Sequence, residues 1–235
     1  MLRITDLKLP LGHAPEMLAL AVADRLAIAS GDILDIGIAR RANDARRRSA
    51  IMMVYSVDVT VRDEAAILAR FAADPHVRAT PDTRYRFATP VPLRSSGKRP
   101  VVVGTGPCGL FAALILAQTG LRPIILDRGK VVRERTKDTW GLWRRGVLDP
   151  ESNVQFGEGG AGTFSDGKLW SQVKDPRHLG RKVLTEFLRA GAPEEILTEA
   201  HPHIGTFRLV TMVEHMRGTI EALGGEYLWG HRVED

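Results

Sequence analysis

One cysteine, few aromatic residues and no long apolar run: the sequence is first defined by what it leaves out. Cys108 is the only cysteine among 235 residues, so no internal disulfide can form and the framework of small secreted domains is excluded. The expected setting is reducing and cytoplasmic. Nowhere do about eighteen uninterrupted apolar residues occur, the length that a helix needs to cross a bilayer, so no membrane span is expected. The stretch from Met17 to Ile28 is interrupted by Asp24 and Arg25 and follows no basic segment. It reads as an amphipathic helix rather than a secretory signal. Internal repeats and low-complexity tracts are also missing.

Apolar residues make up 44% of the chain, enough to bury a sizeable core in one large domain or two modest ones. The net charge of +5 is uneven: residues 1–99 hold 16 Lys+Arg against 11 Asp+Glu, and residues 100–235 hold 17 against 17. An excess of this size lies within what ordinary soluble domains tolerate.

Residues 1–79 read as a small α+β module. A strand near Leu2–Leu9 precedes a helix after Pro15 in which Leu18, Val22 and Leu26 share a face. Ile33–Ile38 alternates as a strand, and the Arg-rich run Arg40–Arg48 follows. In the next strand Ile51, Met53, Tyr55, Val57, Val59 and Val61 fall on one side at period two. A helix is expected from Asp63 to Ala73, closed by Asp74-Pro75. Residues 80–99, with Pro81, Pro90, Pro92 and Ser95-Ser96-Gly97, read as a linker.

Residues 100–235 form the second region. Val101–Val103 is expected as a buried strand, Pro107–Thr119 as a helix and Pro123–Asp127 as a second buried strand, an alternation that implies a parallel sheet. Further helices are expected over His178–Ala190 and Val210–Leu223, and a strand over Glu226–Trp229. The fold class is therefore α/β: a Rossmann-like βαβ domain preceded by the α+β module.

Gly104, Gly106 and Gly109 complete a GxGxxG pattern directly after a strand and at the mouth of a helix, the context in which that pattern binds dinucleotides. Gly104 permits the tight turn, Gly106 lets backbone approach a pyrophosphate, and Gly109 lets the helix lie close to the sheet. The helix N-terminus offers N–H groups and a positive dipole end to phosphates. Asp127, about twenty residues on, stands where ribose hydroxyls are accepted. Thr105, Pro107, Cys108 and Arg128 complete the candidate cofactor set around the turn, with Cys108 serving there as a small residue. The spacing alone leaves NAD and FAD open, because both carry the ADP moiety.

The run from Gly104 to Gly109, with Ala113 and with Asp127-Arg128-Gly129, resembles the GxGPxGxxxA and E/D-R-G pattern of flavoproteins with two dinucleotide-binding folds. The segment Phe156-Gly157-Glu158-Gly159-Gly160-Ala161-Gly162-Thr163-Phe164-Ser165-Asp166-Gly167-Lys168-Leu169 resembles the signature of an FAD-dependent dehydrogenase family, the NAD(FAD)-utilising dehydrogenases. Asp44-Ala45-Arg46, Val54–Asp58 and Pro202–Thr206 are similar to that family as well, so the resemblance covers nearly the whole chain. It implies an FAD-dependent oxidoreductase with NAD(P)H as candidate electron donor and an unknown small-molecule substrate. Gly159, Gly160, Ala161 and Gly162 then join the cofactor set, since bare backbone N–H groups can face a pyrophosphate or a flavin edge. The cysteine pair of disulfide-reductase relatives is missing from this segment, so dithiol chemistry is not expected.

Lys168 and His203 are the candidate catalytic residues: a cation near a flavin favours its anionic reduced form, and by resemblance His203–Thr206 approaches the flavin. His201 and His203 lack a third ligand nearby in sequence, so no metal is expected. A superfamily member closes its FAD site with a Gly-Asp pair near its C-terminus; none follows here, and the expectation is an N-terminal fragment of a protein about twice as long. Two alternatives stand beside the flavoprotein reading. One is an enzyme using NAD(P) alone. The other is nucleic-acid binding by Arg40, Arg41, Arg46, Arg47 and Arg48 of the N-terminal module.

Overall fold

A computed structural model describes residues 1–87 and 97–234. The chain divides into two compact units, Met1–Thr83 with Leu197–Pro202, and Arg84–Ile196 with His203–Asp235.

The first unit is built from β1 (Leu2–Pro10), α1 (Glu16–Leu26), β2 (Ile33–Asp44), β3 (Met52–Val61), α2 (Glu64–Arg70) and β4 (Val77–Ala79). The strands form one antiparallel sheet in the order β2-β3-β1-β4, a split βαβ arrangement. Leu2, Ile4, Val57 and Val59 are fully buried together with Val22 and Leu26 of α1, and Ile67 of α2 joins the same cluster. In β1 the inward positions change parity, from Leu2 and Ile4 to Leu7 and Leu9. A register shift between Ile4 and Leu7, with Asp6 at φ 60°, absorbs the extra residue. The bulge thus keeps all four leucine and isoleucine side chains on the core face.

Three expectations for this region need correction. β4 went unforeseen because three residues, Val-Arg-Ala, are too short to show a period. The strand expected over Ile33–Ile38 runs further: β2 continues through Arg40 and Arg41 to Asp44, paired to β3. α2 starts after Asp63, which accepts from Ala66 N, and stops at Arg70, three residues before the expected end.

The second unit holds β5 (Val101–Val103), α3 (Pro107–Gln118), β6 (Ile124–Asp127), α4 (Val132–Arg145), α5 (Leu179–Arg189), α6 (Thr206–Ala222) and β7 (Glu226–Trp229). Its sheet is parallel, in the order β5-β6-β7. Val102, Ile125, Ala113, Leu114, Ala117, Val213 and Ile220 form the buried side. β5 is not buried on both sides as expected: Val101 and Val103 are 56% and 63% exposed. Of the stretch read as a linker, Pro90, Pro92, Ser95 and Ser96 lie outside the described residues. Its earlier part divides between the units. Thr80 N donates to Met1 O at 3.0 Å, whereas Tyr85 and Phe87 lie over the Lys182 ammonium of α5 at 5.2 and 4.9 Å.

α4 is the element that the sequence conceals. Its buried residues are Val132, Arg135, Thr139 and Gly141, while Trp140 and Trp143 are 45% and 55% exposed. Arg135 and Thr139 stand on the buried face and the two tryptophans on the exposed one, so the apolar residues do not mark the inward side.

The packing of β1 supplies a direct check. Ile4→Ala should cost about 2–5 kcal/mol through the cavity left in the core, whereas Leu34→Ala, at a site 59% exposed, should stay within about 0.5 kcal/mol. Urea unfolding of the two variants measures the difference, and similar losses at both sites would place the core on another face.

Candidate functional site

A cleft of about 220 Å³ opens where β5 and β6 end. Gly104, Thr105 and Gly106 form one wall, Asp127 and Arg128 another, and Gly157 and Gly160 a third. Gathering at the carboxyl ends of parallel strands is what makes such a position a ligand crevice.

The first wall follows from the backbone. Gly104 N extends the ladder by donating to Leu126 O at 2.7 Å, and Gly104 then takes φ +90°, a conformation open to glycine. Gly106 caps α3 with Pro107 at its first position. Leu110 N to Gly106 O, 2.9 Å, is the first bond of that helical turn, so the N–H groups of Gly106, Cys108 and Gly109 precede it at the positive end of the helix. A Cβ on Gly109 would meet Gly104 O at 1.9 Å. Its absence is the condition for α3 to approach the turn.

The third wall is a loop laid onto the first. Gly159 N donates to Thr105 O at 2.9 Å and Glu158 N to Lys130 O at 3.1 Å. Gly157, Gly159 and Gly160 all take positive φ, and a Cβ on Gly160 would lie 3.0 Å from Gly106 Cα. Glycines of two separate sequence motifs therefore face each other. Gly129 meets Gly157 as closely, since a Cβ there would stand 2.5 Å from Gly157 Cα.

Buried charge holds that loop. Arg135 is completely buried and donates to Asn153 O, Glu158 O and Val154 O at 2.8, 2.6 and 2.6 Å, gathering three carbonyls into one guanidinium fork. Burial pulls its pKa down to about 10, which leaves it charged at neutral pH. Glu158, also fully buried, accepts from Val132 N at 2.7 Å at the start of α4 and pairs with Arg217 at 2.8 Å. Its carboxyl is raised above the usual range by burial, against the pull of the Val132 N–H and of Arg217.

Asp127 bridges the walls. One carboxylate oxygen accepts from Thr105 N at 2.8 Å and from Thr105 Oγ1 at 2.5 Å, and the other accepts from Gly129 N at 2.8 Å. Arg128 turns to Glu151 at 2.6 Å and stacks over Phe156 at 4.0 Å.

Of the residues named from sequence, Gly104, Thr105, Gly106, Asp127, Arg128 and Gly160 line this cleft. Pro107, Gly159, Gly162 and Lys168 line a neighbouring, more apolar cleft of about 200 Å³ with Phe111, Phe187 and Met212. Cys108 is exposed on the first turn of α3, and Ala161 opens a short 3-10 turn. Lys168 pairs with Asp166 at 3.1 Å, holding that carboxyl below its usual range, and its backbone bridges to that of His203. The two catalytic candidates are thus adjacent. His201 and His203 belong to different units. Missed from sequence were Gln155, Phe156, His231, Arg232 and Val233, which also line the first cleft. The last three follow β7, so the strand order would have pointed to them.

A model described as a domain of unknown function, DUF8436, matches residues 1–60. An uncharacterized protein of Clostridium beijerinckii (strain ATCC 51743 / NCIMB 8052) is 39% identical over 238 residues, taking in 99% of this chain and 43% of the relative. The chain thus spans less than half the length of the relative that it matches.

Two expectations follow from the packing. Gly109→Ala should disrupt the α3 approach and cost at least about 2 kcal/mol, whereas Gly162→Ala, where an added Cβ meets nothing within 4 Å, should be nearly neutral; thermal unfolding compares them. Glu158 gives the second. A carboxyl raised on folding favours the folded state most at acid pH, and that contribution is lost as pH rises past the ordinary glutamate range. Glu158→Gln keeps an acceptor for Val132 N–H and removes the titration. The Tm difference, variant minus wild type, should therefore move in favour of the variant between about pH 4 and pH 7; a difference independent of pH would contradict the assignment.

Proposed function

We propose that the second unit binds the ADP half of a dinucleotide, that this dinucleotide is FAD, and that the longer protein is an FAD-dependent oxidoreductase. One observation carries the reading: two bare glycine backbones, Gly106 and Gly160, face each other at the mouth of α3, with the Asp127 carboxylate on the next wall.

The residues fit the group. The N–H groups at the start of α3 suit a pyrophosphate, which needs donors and a positive field rather than side chains. A Cβ on Gly160 would crowd the Gly106 Cα at 3.0 Å and the Pro107 Cδ at 3.2 Å, and one on Gly106 would already touch the Gly160 Cα at 4.0 Å. Asp127 stands ready for a ribose hydroxyl, and Gln155, Phe156, His231, Arg232 and Val233 surround the remaining space. FAD rather than NAD rests on the resemblance of Gly104–Gly109, Asp127–Gly129 and Phe156–Leu169 to the flavoprotein patterns. When bound, FAD supplies two-electron transfer between a donor, for which NAD(P)H is the candidate, and an acceptor. This chain's own part is to hold the phosphates with backbone, to fix the ribose with Asp127 and to keep the glycine walls in place through Arg135.

Nucleic-acid binding by the first unit is not favoured. Arg41 pairs with Glu199 and Arg46 with Asp44, so two of the five arginines already have carboxylate partners. On the sheet side away from the helices the central strands carry Arg3, Ser56, Asp58 and Thr60; none of these is aromatic, and the Arg3 guanidinium is taken up by Asp58. Among the described residues, no helix is long and apolar enough to cross a membrane.

Calorimetric titration with ADP tests the reading at its base. Binding is expected, and Asp127→Ala should weaken it by about tenfold or more; no binding of ADP would reject the proposal. A flavin absorbance spectrum from the longer protein would then separate FAD from the NAD(P)-only alternative.

A further inference from the structure

We propose that Thr105 restricts Asp127 to a single ribose hydroxyl, so that the site reads one of the two vicinal hydroxyls through this carboxylate and not both. The inference rests on the dinucleotide reading above and deepens it.

An ionised carboxylate offers about four lone-pair directions, two on each oxygen. Both directions of Asp127 Oδ2 are taken by Thr105, through its backbone N–H at 2.8 Å and its hydroxyl at 2.5 Å. On Oδ1 the Gly129 N–H at 2.8 Å takes one more. A single direction remains, on Oδ1.

Thr105 cannot easily surrender its share. It is completely buried, so a hydroxyl turned away from Asp127 would lose its acceptor without gaining water, a cost comparable to what a new bond to ribose would gain. The backbone is pinned from the other side as well, because Thr105 O accepts from Gly159 N at 2.9 Å. The β-branched side chain adds stiffness at χ1. Asp127 is only 6% exposed and is held at both oxygens, so it cannot swing outward to straddle a diol. The carboxylate thus presents one acceptor to the cleft.

The test uses ADP, 2′-deoxy-ADP and 3′-deoxy-ADP as probes, titrated into the chain and into Thr105→Ala and Thr105→Ser. In the unsubstituted chain one deoxy compound should bind within about twofold of ADP and the other should be weaker by about tenfold or more, the worth of a hydrogen bond to a charged acceptor. Thr105→Ala removes the hydroxyl and puts no methyl in its place, which frees a direction on Oδ2, and both deoxy compounds should then fall below ADP. Thr105→Ser keeps the hydroxyl and should keep the asymmetry. Equal losses for both deoxy compounds in the unsubstituted chain, no loss for either, or an asymmetry that survives Thr105→Ala would overturn the inference while leaving ADP binding intact. A chain that does not bind ADP at all would overturn the dinucleotide reading and this inference with it. The comparison within the unsubstituted chain needs no variant to fold.

Discussion

The buried guanidinium of Arg135 is the constraint on which the cleft depends. The loop that forms the third wall carries glycines at 157, 159, 160 and 162, and their conformational entropy opposes any fixed shape. Arg135 overcomes this by drawing the carbonyls of Asn153, Val154 and Glu158 onto one planar fork. Placing a charge in the interior is costly unless its donors are satisfied. Here the acceptors are backbone oxygens of the segment that must be ordered, so satisfying the charge and shaping the loop are the same event.

Glu158 extends that logic to the neighbouring elements. Its backbone carbonyl serves Arg135, its N–H reaches Lys130, and its carboxylate joins the first turn of α4 to Arg217 on α6. One residue inside the glycine run thereby links the third wall of the cleft to two helices. The glycines then do what their spacing suggests, because the loop they belong to is fixed at Glu158. Gly159 hydrogen-bonds to Thr105, Thr105 holds Asp127, and Asp127 returns to Gly129. A chain of hydrogen bonds, through the Asp127 carboxylate, thus runs from one glycine motif to the other.

Much of this frame was legible in the sequence, for physical reasons that can be named. Val101–Val103, Gly104, Gly106, Gly109 and Asp127 are local signals: a short apolar strand, a turn that needs positive φ, a helix start and an acid at a fixed distance. The period-two face of β3 was equally plain. What could not be read depends on contacts between distant residues. α4 buries Arg135 and Thr139 and exposes Trp140 and Trp143, so its periodicity runs against the rule that reveals helices. Arg135 looks like any surface arginine until the carbonyls of residues 153–158 close around it. The bulge at Asp6 was implicit in the parity change from Ile4 to Leu7, but β4 was too short to announce itself. The bare side of β5 shows the reverse error: three valines suggested burial on both sides, and only Val102 is covered.

The central claim is that the two glycine motifs and the mouth of α3 form one anion-binding surface. Amide nuclear magnetic resonance during a titration with ADP tests it most directly, because the atoms assigned to the phosphates are backbone N–H groups. The account predicts that the largest shifts fall on Gly106, Cys108, Gly109 and Gly160, with the strands of the antiparallel unit unmoved. Shifts confined to Arg40–Arg48, or glycine amides that stay in place while ADP binds, would contradict it.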